Sequence, residues 1–227
     1  ADEYQLTRES MDEFAIASLT KAKAAMKDQS LAPEIVPITI QTRKDQKVIT
    51  EDEQPRIAKI DKIPELKPAF KDGGTVTAAN SSSISDGASA MLLASETAVE
   101  TFSLNPMAKI CGHSTNSMEP SKFTLAPIGA IEKILEITGW DKTEVDLFEI
   151  NEAFAMVTML AIKELDLDPN KVNIHGGACA QGHPIGSTGS RIIISLMYAL
   201  KKTGGKRGVA ALCIGGGEAT SVAIELL

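Results

Sequence analysis

Three segments of this 227-residue chain carry residue types that could act together in catalysis. They contain Asn151 in NEAFA, His183 in GGACAQGHPIGSTGSR and Cys213 in CIGGG. An imidazole beside a thiol can take its proton, and the resulting thiolate can attack an acyl carbon. A neutral ring N–H or a glycine backbone N–H can hydrogen-bond an oxyanion, and an asparagine amide can hold a water or a carbonyl. These residue types are therefore compatible with acyl-group chemistry.

Each segment also has a purely structural interpretation, and a lone histidine such as His183 is more often structural than catalytic. Cys213 ends an apolar run and could be a small buried hydrophobic residue. Asn151 and Glu152 could cap the helix that follows them. The glycines at 215–217 could form only a tight turn. The residue types alone leave both interpretations open.

The cysteines indicate the redox compartment. The chain has three widely spaced cysteines, Cys111, Cys179 and Cys213, so disulfides are not expected. A reducing, cytoplasmic location is expected instead. Cys111 with His113, and Cys179 with His183, lack the paired ligand spacing of structural zinc sites. No metal site is therefore predicted.

Composition excludes two classes of partner. The net charge of −7 argues against a nucleic-acid-binding surface, which needs clustered Lys and Arg. No apolar run reaches the ~18 residues that a membrane-spanning helix requires. The 43% hydrophobic content is enough to bury a sizeable core.

The elements predicted around the three segments alternate between strands and helices. Strands are predicted at 107–113, 145–150, 172–174, 208–214 and 219–226, with helices at 127–138, 153–165 and 188–202. This α/β pattern predicts a mixed, mostly parallel five-stranded sheet with helices on both faces and a closing antiparallel pair. The carboxyl ends of parallel strands form one edge of a sheet, where ligands gather. Asn151, His183 and Cys213 are therefore expected to meet at that edge.

The first part of the chain has a different pattern. Residues 10–27 predict an amphipathic helix with capping-box spacing between Ser10 and Glu13. Residues 34–40 and 48–49 predict a hairpin. The charged, proline-containing stretch 50–71 predicts extended surface chain. Residues 74–95 predict a strand, a turn and a helix, whose N-cap would be Ser85 or Asp86.

Taken in order, the segments at 151–155, 176–192 and 213–217 closely resemble the second half of the thiolases. The stretches 8–18, 66–70 and 74–88 resemble the thiolase sequence that leads into that half. CIGGG is similar to the branch of the family that acts on acetoacetyl-CoA. The resemblance covers essentially the whole chain, and three ordered motifs are far more specific than any one of them.

The resemblance implies a role for each matching position. His183 corresponds to the histidine that activates a nucleophilic cysteine and contributes to an oxyanion hole. Asn151 corresponds to the asparagine that orients a water in that hole, Cys213 to the acid/base cysteine, and Gly215 to a backbone donor of a second oxyanion hole. Positions around the coenzyme A pantetheine are matched by Ser82, Ala78, Phe70, Ala153 and Phe154. Arg56 matches a residue near the nucleotide end.

Three residues depart from the family pattern. Cys179 replaces a residue that is usually aliphatic, and Gln181 is less familiar at its position. Glu218 adds a carboxylate close to Cys213, where like-charge repulsion is expected to raise the pKa of the thiol. These departures bear on acyl preference and on the tuning of Cys213.

Thiolases carry the nucleophilic cysteine in a first half, before the point where this sequence starts. Neither Cys111 nor Cys179 has a matching context. The chain is therefore expected to be a piece that is inactive alone. Residues 1–84 are expected to belong to the thiolase loop region as a loop-domain remnant, 85–107 to the end of the N-terminal half, and 108–227 to the C-terminal half.

The implied reaction is a ping-pong exchange between coenzyme A thioesters. It would cleave 3-ketoacyl-CoA or condense two acetyl-CoA to acetoacetyl-CoA, with no covalently bound cofactor. A homo-oligomer is also expected. The alternatives are a non-catalytic thiolase-like protein that binds acyl-CoA or a partner, and a hydrolase that uses Cys213 as its nucleophile.

Overall fold

The computed structural model describes all residues, 1–227, as helices packed around a mixed sheet and preceded by a loop-rich segment. The helices are α1 (Arg8–Lys27), α2 (Glu53–Ile57), α3 (Glu96–Phe102), α4 (Ala126–Thr138), α5 (Ala155–Glu164), α6 (Ala178–Gln181) and α7 (Thr188–Thr203). The strands are β1 (Ile38–Gln41), β2 (Gln46–Ile49), β3 (Ala108–Ser117), β4 (Leu147–Ile150), β5 (Arg207–Cys213) and β6 (Glu218–Leu226). None of the helices is both long enough and apolar enough to cross a bilayer.

The main sheet has four strands in the order β3-β6-β5-β4. The predicted α/β class with a mixed sheet is confirmed, but the strand count and the mostly parallel direction are not. Only β4 and β5 run parallel, whereas β6 is antiparallel to both β5 and β3. The tight glycine turn between β5 and β6 requires that reversal.

The predicted strand at 172–174 is reduced to a single parallel bridge between Val172 and Phe148. The ladder stops because Asn173 has φ +46°, a left-handed conformation that ends an extended strand. Its side chain replaces the missing backbone partner. The amide oxygen accepts from Ile150 N at 2.8 Å, and the amide nitrogen donates to Ile150 O at 2.8 Å.

Both faces of the sheet are covered by helices, as predicted. On one face Phe148 and Ile150 pack with Ile131 and Ile134 of α4. On the other face Leu147 packs with the α7 side chains, among them Leu196. Successive residues of β4 therefore alternate between two buried clusters, as expected for a strand covered on both sides. This packing fixes α7 against the ends of β4 and β5.

The amphipathic helix and the hairpin are both confirmed. Helix α1 starts earlier than predicted, and its cap is Thr7, whose side chain accepts from Ser10 N at 3.1 Å. The predicted Ser10–Glu13 capping box is therefore wrong. Strand β1 pairs antiparallel with β2, with Ile38 opposite Ile49.

The two loop predictions need correction. The stretch 50–71 contains α2 and a 3₁₀ segment at Ile60–Glu65, because Pro55 and Ile63 find buried positions. Residues 86–95 form no helix, and α3 begins only at Glu96, capped by Ser95. Leu92, one of the apolar residues behind the helix prediction, is 87% exposed and its neighbour Leu93 is 69% exposed, so no neighbouring surface buries an apolar helix stripe there.

Candidate active site

Asn151 and Cys213 lie at the carboxyl ends of the two adjacent parallel strands. Asn151 directly follows β4, and its backbone N–H donates to Ala211 O of β5 at 2.9 Å. Cys213 is the last residue of β5. The parallel register therefore puts the amide and the thiol at the same edge of the sheet.

The segment that leads to His183 starts on the other side of β4. The chain passes from Val172, beside Phe148, through α6 to the turn before α7. His183 Nδ1 lies 2.7 Å from Oγ1 of Thr188, the first residue of α7. The next residue, Gly189, packs against Leu212 of β5. A Cβ atom at Gly189 would lie 3.7 Å from the Leu212 side chain. The start of α7, which holds the His183 ring, therefore lies beside the end of β5.

The imidazole of His183 is half-buried and neutral at physiological pH. Burial lowers the pKa of His183, and the nearby Arg191 guanidinium lowers it further. The base form of the ring is therefore the resting form. Its backbone N–H donates to Ser83 O at 2.9 Å, which ties this turn to the loop before residue 86.

The Asn151 side chain is buried without a hydrogen-bond partner. It is 2% exposed, and both Nδ2 and Oδ1 are enclosed and unpaired. Such groups are rare in proteins because an unpaired buried amide costs free energy. Asn151 does not cap α5, which begins at Ala155 without a side-chain cap. Its amide is instead free to bind a water or a polar group of a ligand.

Cys213 is a buried thiol. It is 7% exposed, and burial raises its pKa to about 11. The expected cause, repulsion by Glu218, is wrong: that carboxylate does not contribute to the shift and lies beside Gly216, where a Cβ would be 2.6 Å from it. The thiol is therefore protonated at neutral pH, and its thiolate is a stronger base than an ordinary one.

The glycines after Cys213 form a tight turn in which the Gly215 and Gly216 amides make no hydrogen bond. Gly217 has φ +104°, and a Cβ there would lie 2.4 Å from Met118 O, so only glycine fits. Ile214 N donates to Glu218 O at 2.7 Å and closes the turn. Gly215 is exposed, with open space around its Cα, and its N–H makes no backbone hydrogen bond. This N–H can therefore serve an incoming oxygen.

We expect alkylation of Cys213 to show the raised pKa directly. With a pKa about 11, its iodoacetamide reaction should still accelerate from pH 9 to pH 10, where an ordinary thiol levels off. At pH 7 it should react about tenfold more slowly than an ordinary thiol, because a smaller thiolate fraction outweighs the higher nucleophilicity. Peptide mass spectrometry measures each cysteine separately, and the same cysteine in urea is the control. A plateau below pH 9 in the folded protein would contradict the assignment.

Contacts join four of the five positions that resemble a pantetheine site in two pairs, Ser82 with Ala153 and Phe154 with Phe70. Ser82 donates from both N and Oγ to Ala153 O at 3.0 Å. The Phe154 ring packs edge-to-face on Phe70, with centroids 6.4 Å apart. Ala78 is exposed on the same loop as Ser82. Arg56, which resembles a residue near the nucleotide end, is exposed on α2, and its ion-pair partner is Glu53 at 3.9 Å.

Glu152 is a residue whose role the sequence interpretation missed. Its carboxylate is 1% exposed and accepts from Ser18 Oγ at 2.7 Å, Asn173 Nδ2 at 2.9 Å and Cys179 N at 3.0 Å. It therefore joins α1, α6 and the end of β4. Gly177 packs on this carboxylate, where a Cβ would be 2.4 Å from its carbon. A charged residue inside the apolar run DLFEINEAFA was the available signal.

Cys179 and Gln181, the two other departures from the family pattern, have their side chains turned into the loop that carries His183. The Cys179 thiol is buried 3.7 Å from Glu152 O, and burial raises its pKa well above the ordinary value. Gln181 donates to His175 O at 3.1 Å and accepts from Arg191 at 3.2 Å. Both residues hold the His183 loop together. All three cysteines are free, and no cluster of His, Cys, Asp or Glu is arranged to hold a metal ion.

Comparison with known families gives two matches. A model described as "Thiolase, C-terminal domain" matches residues 104–226, and one described as "Thiolase, N-terminal domain" matches residues 1–97. A probable acetyl-CoA acetyltransferase of Dictyostelium discoideum is 46% identical over 228 residues, which cover 100% of this chain and 55% of that protein. The chain thus spans about half the length of the curated relatives it matches.

Two solved structures are similar over the whole chain. The acetyl-CoA acetyltransferase of Bacillus anthracis has a TM-score of 0.95 and 43% identity, with 100% of this chain and 58% of that chain covered. A thiolase of Ascaris suum, solved in complex with coenzyme A, has a TM-score of 0.89 and 40% identity, with 100% and 58% covered. The likeness therefore extends to the loop-rich segment as well as to the sheet.

Proposed function

Because the chain belongs to the thiolase family, we propose that the protein is an acyltransferase that exchanges acetyl groups between coenzyme A thioesters. It cleaves 3-ketoacyl-CoA with coenzyme A, or condenses two acetyl-CoA to acetoacetyl-CoA. The observation that carries the proposal is the buried, unpaired amide of Asn151 at the end of β4, beside the strand that ends in Cys213. The relatives named above as acetyl-CoA acetyltransferases support the same reaction.

In the condensation, Cys213 is the acid/base. Its thiolate takes a proton from the methyl group of acetyl-CoA, and the C–H electron pair moves to the thioester oxygen as an enolate. The enolate carbon then attacks the carbonyl of an acyl thioester carried on another cysteine, whose thiolate leaves. Cys111 lies on β3, and Cys179 is enclosed beside Glu152. The proposal therefore assigns the acyl group to a cysteine outside these 227 residues.

The high pKa of Cys213 suits both directions of this proton transfer. With a pKa about 11, the thiol keeps its proton in the resting site and can give it to a departing coenzyme A thiolate. The resulting Cys213 thiolate is about 100-fold more basic than one with the ordinary pKa of 9.0. It is then basic enough to approach the weakly acidic α-proton, provided that the enolate oxygen is hydrogen-bonded.

Three groups are proposed to stabilise developing negative charge. Asn151 orients a water in one oxyanion hole, and His183 contributes a ring N–H there after taking the proton of the nucleophilic cysteine. The free N–H of Gly215 serves the second hole. Preorganised donors of this kind lower the barrier because they need not reorient when charge appears.

The coenzyme A moiety is proposed to bind across the loop-rich segment. Ser82 and Ala153, which are joined by hydrogen bonds, and Phe154, whose backbone bridges Ser81, would line the pantetheine arm, with Phe70 and Ala78 beside them. Phe70 is 75% exposed and therefore available to a ligand. Arg56 is proposed at the nucleotide end, where its charge suits phosphate. The Ascaris relative was solved with coenzyme A bound, which supports this class of ligand.

An assay of the whole protein tests the proposal. We expect thiolysis of acetoacetyl-CoA by coenzyme A to give two molecules of acetyl-CoA. Chromatography of the thioesters measures this reaction. In D₂O the same protein should exchange the methyl protons of acetyl-CoA, followed by mass spectrometry. Binding of acyl-CoA without turnover or exchange would contradict catalysis and favour the second candidate, a non-catalytic acyl-CoA-binding protein.

Three further features belong to the proposal. The 227 residues alone would be inactive, with divisions at 84/85 and 107/108 between the loop region and the two halves. The protein would act as a homo-oligomer, because exposed apolar residues such as Ile84, Leu92 and Phe102 offer surface for another protein face. The free thiols favour a reducing compartment such as the cytoplasm.

A further inference from the structure

Thr188 is fully buried, and its hydroxyl has two close partners. Oγ1 lies 2.7 Å from His183 Nδ1 and 3.0 Å from Pro184 O, and the residue is 0% exposed. A threonine hydroxyl has one proton and can therefore donate only once. If the hydroxyl donates to Pro184 O, Nδ1 of the neutral His183 ring carries the hydrogen and donates to the hydroxyl oxygen. If the hydroxyl donates to Nδ1, the ring hydrogen is on Nε2.

The carbonyl of Pro184 can only accept, whereas the ring nitrogen can either donate or accept. If the hydroxyl proton pointed at the ring, two oxygen atoms would face each other with lone pairs only, 3.0 Å apart in a buried place. Donation to Pro184 O removes that repulsion, although the same carbonyl also accepts from Ser187 N and Thr188 N. Hydroxyl donation to the carbonyl four residues earlier is a common arrangement at such positions. Thr188 then accepts from the ring.

We propose that Thr188 is a positioning residue that fixes His183 as the Nδ1–H tautomer and leaves Nε2 as its proton acceptor. No protein atom hydrogen-bonds Nε2, so this nitrogen is available to a ligand or to a second side chain. The lowered pKa of His183 keeps the ring neutral and makes the choice of tautomer decisive. The catalytic consequence depends on the proposed function, since Nε2 must accept the nucleophile's proton before it can donate to an oxyanion.

The tautomer can be measured without any assay of activity. In the protein labelled with ¹⁵N-histidine, two-bond ¹H–¹⁵N correlations distinguish a protonated from an unprotonated ring nitrogen, and loss of one signal set in His183→Gln assigns the residue. We expect Nδ1–H in the unmodified protein above the lowered pKa. Removing the hydroxyl in Thr188→Val should shift the tautomer ratio about five- to tenfold toward Nε2–H. Thr188→Ser should restore the original ratio.

Thr203→Val is the matched control on the same helix. Its hydroxyl donates to Ala199 O, four residues earlier, at 2.9 Å, and has no histidine partner. This variant should leave the His183 tautomer unchanged. An Nε2–H form in the unmodified protein, or the same ratio with and without the Thr188 hydroxyl, would overturn the proposal. Circular dichroism of Thr188→Val excludes unfolding as the cause, and Thr188→Ala, which also lacks the hydroxyl, takes its place if the valine variant does not fold.

Kinetics then separate this proposal from the function on which it rests. In the whole protein Thr188→Val should lower kcat about fivefold or more with little change in KM, because the ring is wrongly protonated for the proton transfer while thioester contacts persist. Thr188→Ser should recover the rate. A tautomer shift in a protein that turns over no thioester would support the role of Thr188 and contradict the function. A tautomer shift with unchanged kcat in an active protein would overturn the catalytic role of Thr188.

Discussion

Cys213→Ala is expected to abolish condensation of acetyl-CoA while acyl transfer to the protein's nucleophilic cysteine remains measurable. Alanine cannot take or return the α-proton, and loss of such a general base removes about 10²–10⁴ in rate. We expect a loss near the upper end, because the thiolate that is removed is unusually basic, with a pKa about 11. Deuterium exchange into the methyl group of acetyl-CoA measures this step, and trapping of the acyl-enzyme measures the transfer that should survive.

Cys111→Ala is the control for removing a thiol. Cys111 is half-buried on β3 at the margin of the core, and its thiol makes only a weak hydrogen bond, 3.8 Å from Lys109 O. Its loss should leave both half-reactions within about twofold. Acetoacetyl-CoA synthesis at the normal rate in Cys213→Ala would exclude Cys213 as the acid/base. Simultaneous loss of acyl transfer would instead make Cys213 itself the nucleophile, as in the hydrolase alternative.

Asn151→Ala is expected to slow turnover about 10²–10³-fold, the usual cost of removing one oxyanion-hole donor. The variant should nevertheless be as stable as the unmodified protein. The Asn151 amide has no partner within the chain, so its removal breaks no hydrogen bond and relieves an unpaired buried group. Steady-state thiolysis measures the turnover rate, and urea unfolding measures the free energy of unfolding in the same preparations.

Asn173→Ala provides the opposite case. Asn173 is 3% exposed, and its side chain bonds Ile150 N, Ile150 O and Glu152 Oε1, all within 2.9 Å. Its removal should lower the free energy of unfolding by about 2–3 kcal/mol, because three buried groups lose partners. If Asn151→Ala destabilises the protein as much as Asn173→Ala does, then Asn151 is a structural residue and the water-binding role fails.

The sheet was predictable where local sequence and tertiary packing agree. The apolar runs of β4, β5 and β6 and the glycine turn between β5 and β6 carry enough signal for their type and order. The stretch 86–95 failed for the opposite reason, since its apolar spacing fits a helix but Leu92 and Leu93 find no surface against which to pack. The strand at 172–174 failed because a single residue, Asn173, turns the backbone and substitutes its own side chain for the ladder.

The placement of Asn151 and Cys213 at one edge of the sheet was predictable from the sequence, whereas the electrostatics around them were predictable only in part. Parallel neighbours β4 and β5 had to bring Asn151 and Cys213 to one edge, which follows from the order of the elements. The cause of the Cys213 pKa did not follow, because burial depends on the whole fold whereas Glu218 is near only in sequence. The role of Glu152 was also hidden, since one of its donors, Ser18, is 134 residues away.

The buried carboxylate of Glu152 limits how this chain can be divided. The family matches meet between residues 97 and 104, yet Ser18 lies before that boundary and Glu152 after it. A nick or a gene split there would leave an unpaired acceptor in one piece and an exposed apolar face of α1 in the other. In chimaeras between relatives, α1 should therefore be exchanged together with residues 147–227, as one unit that spans both family modules.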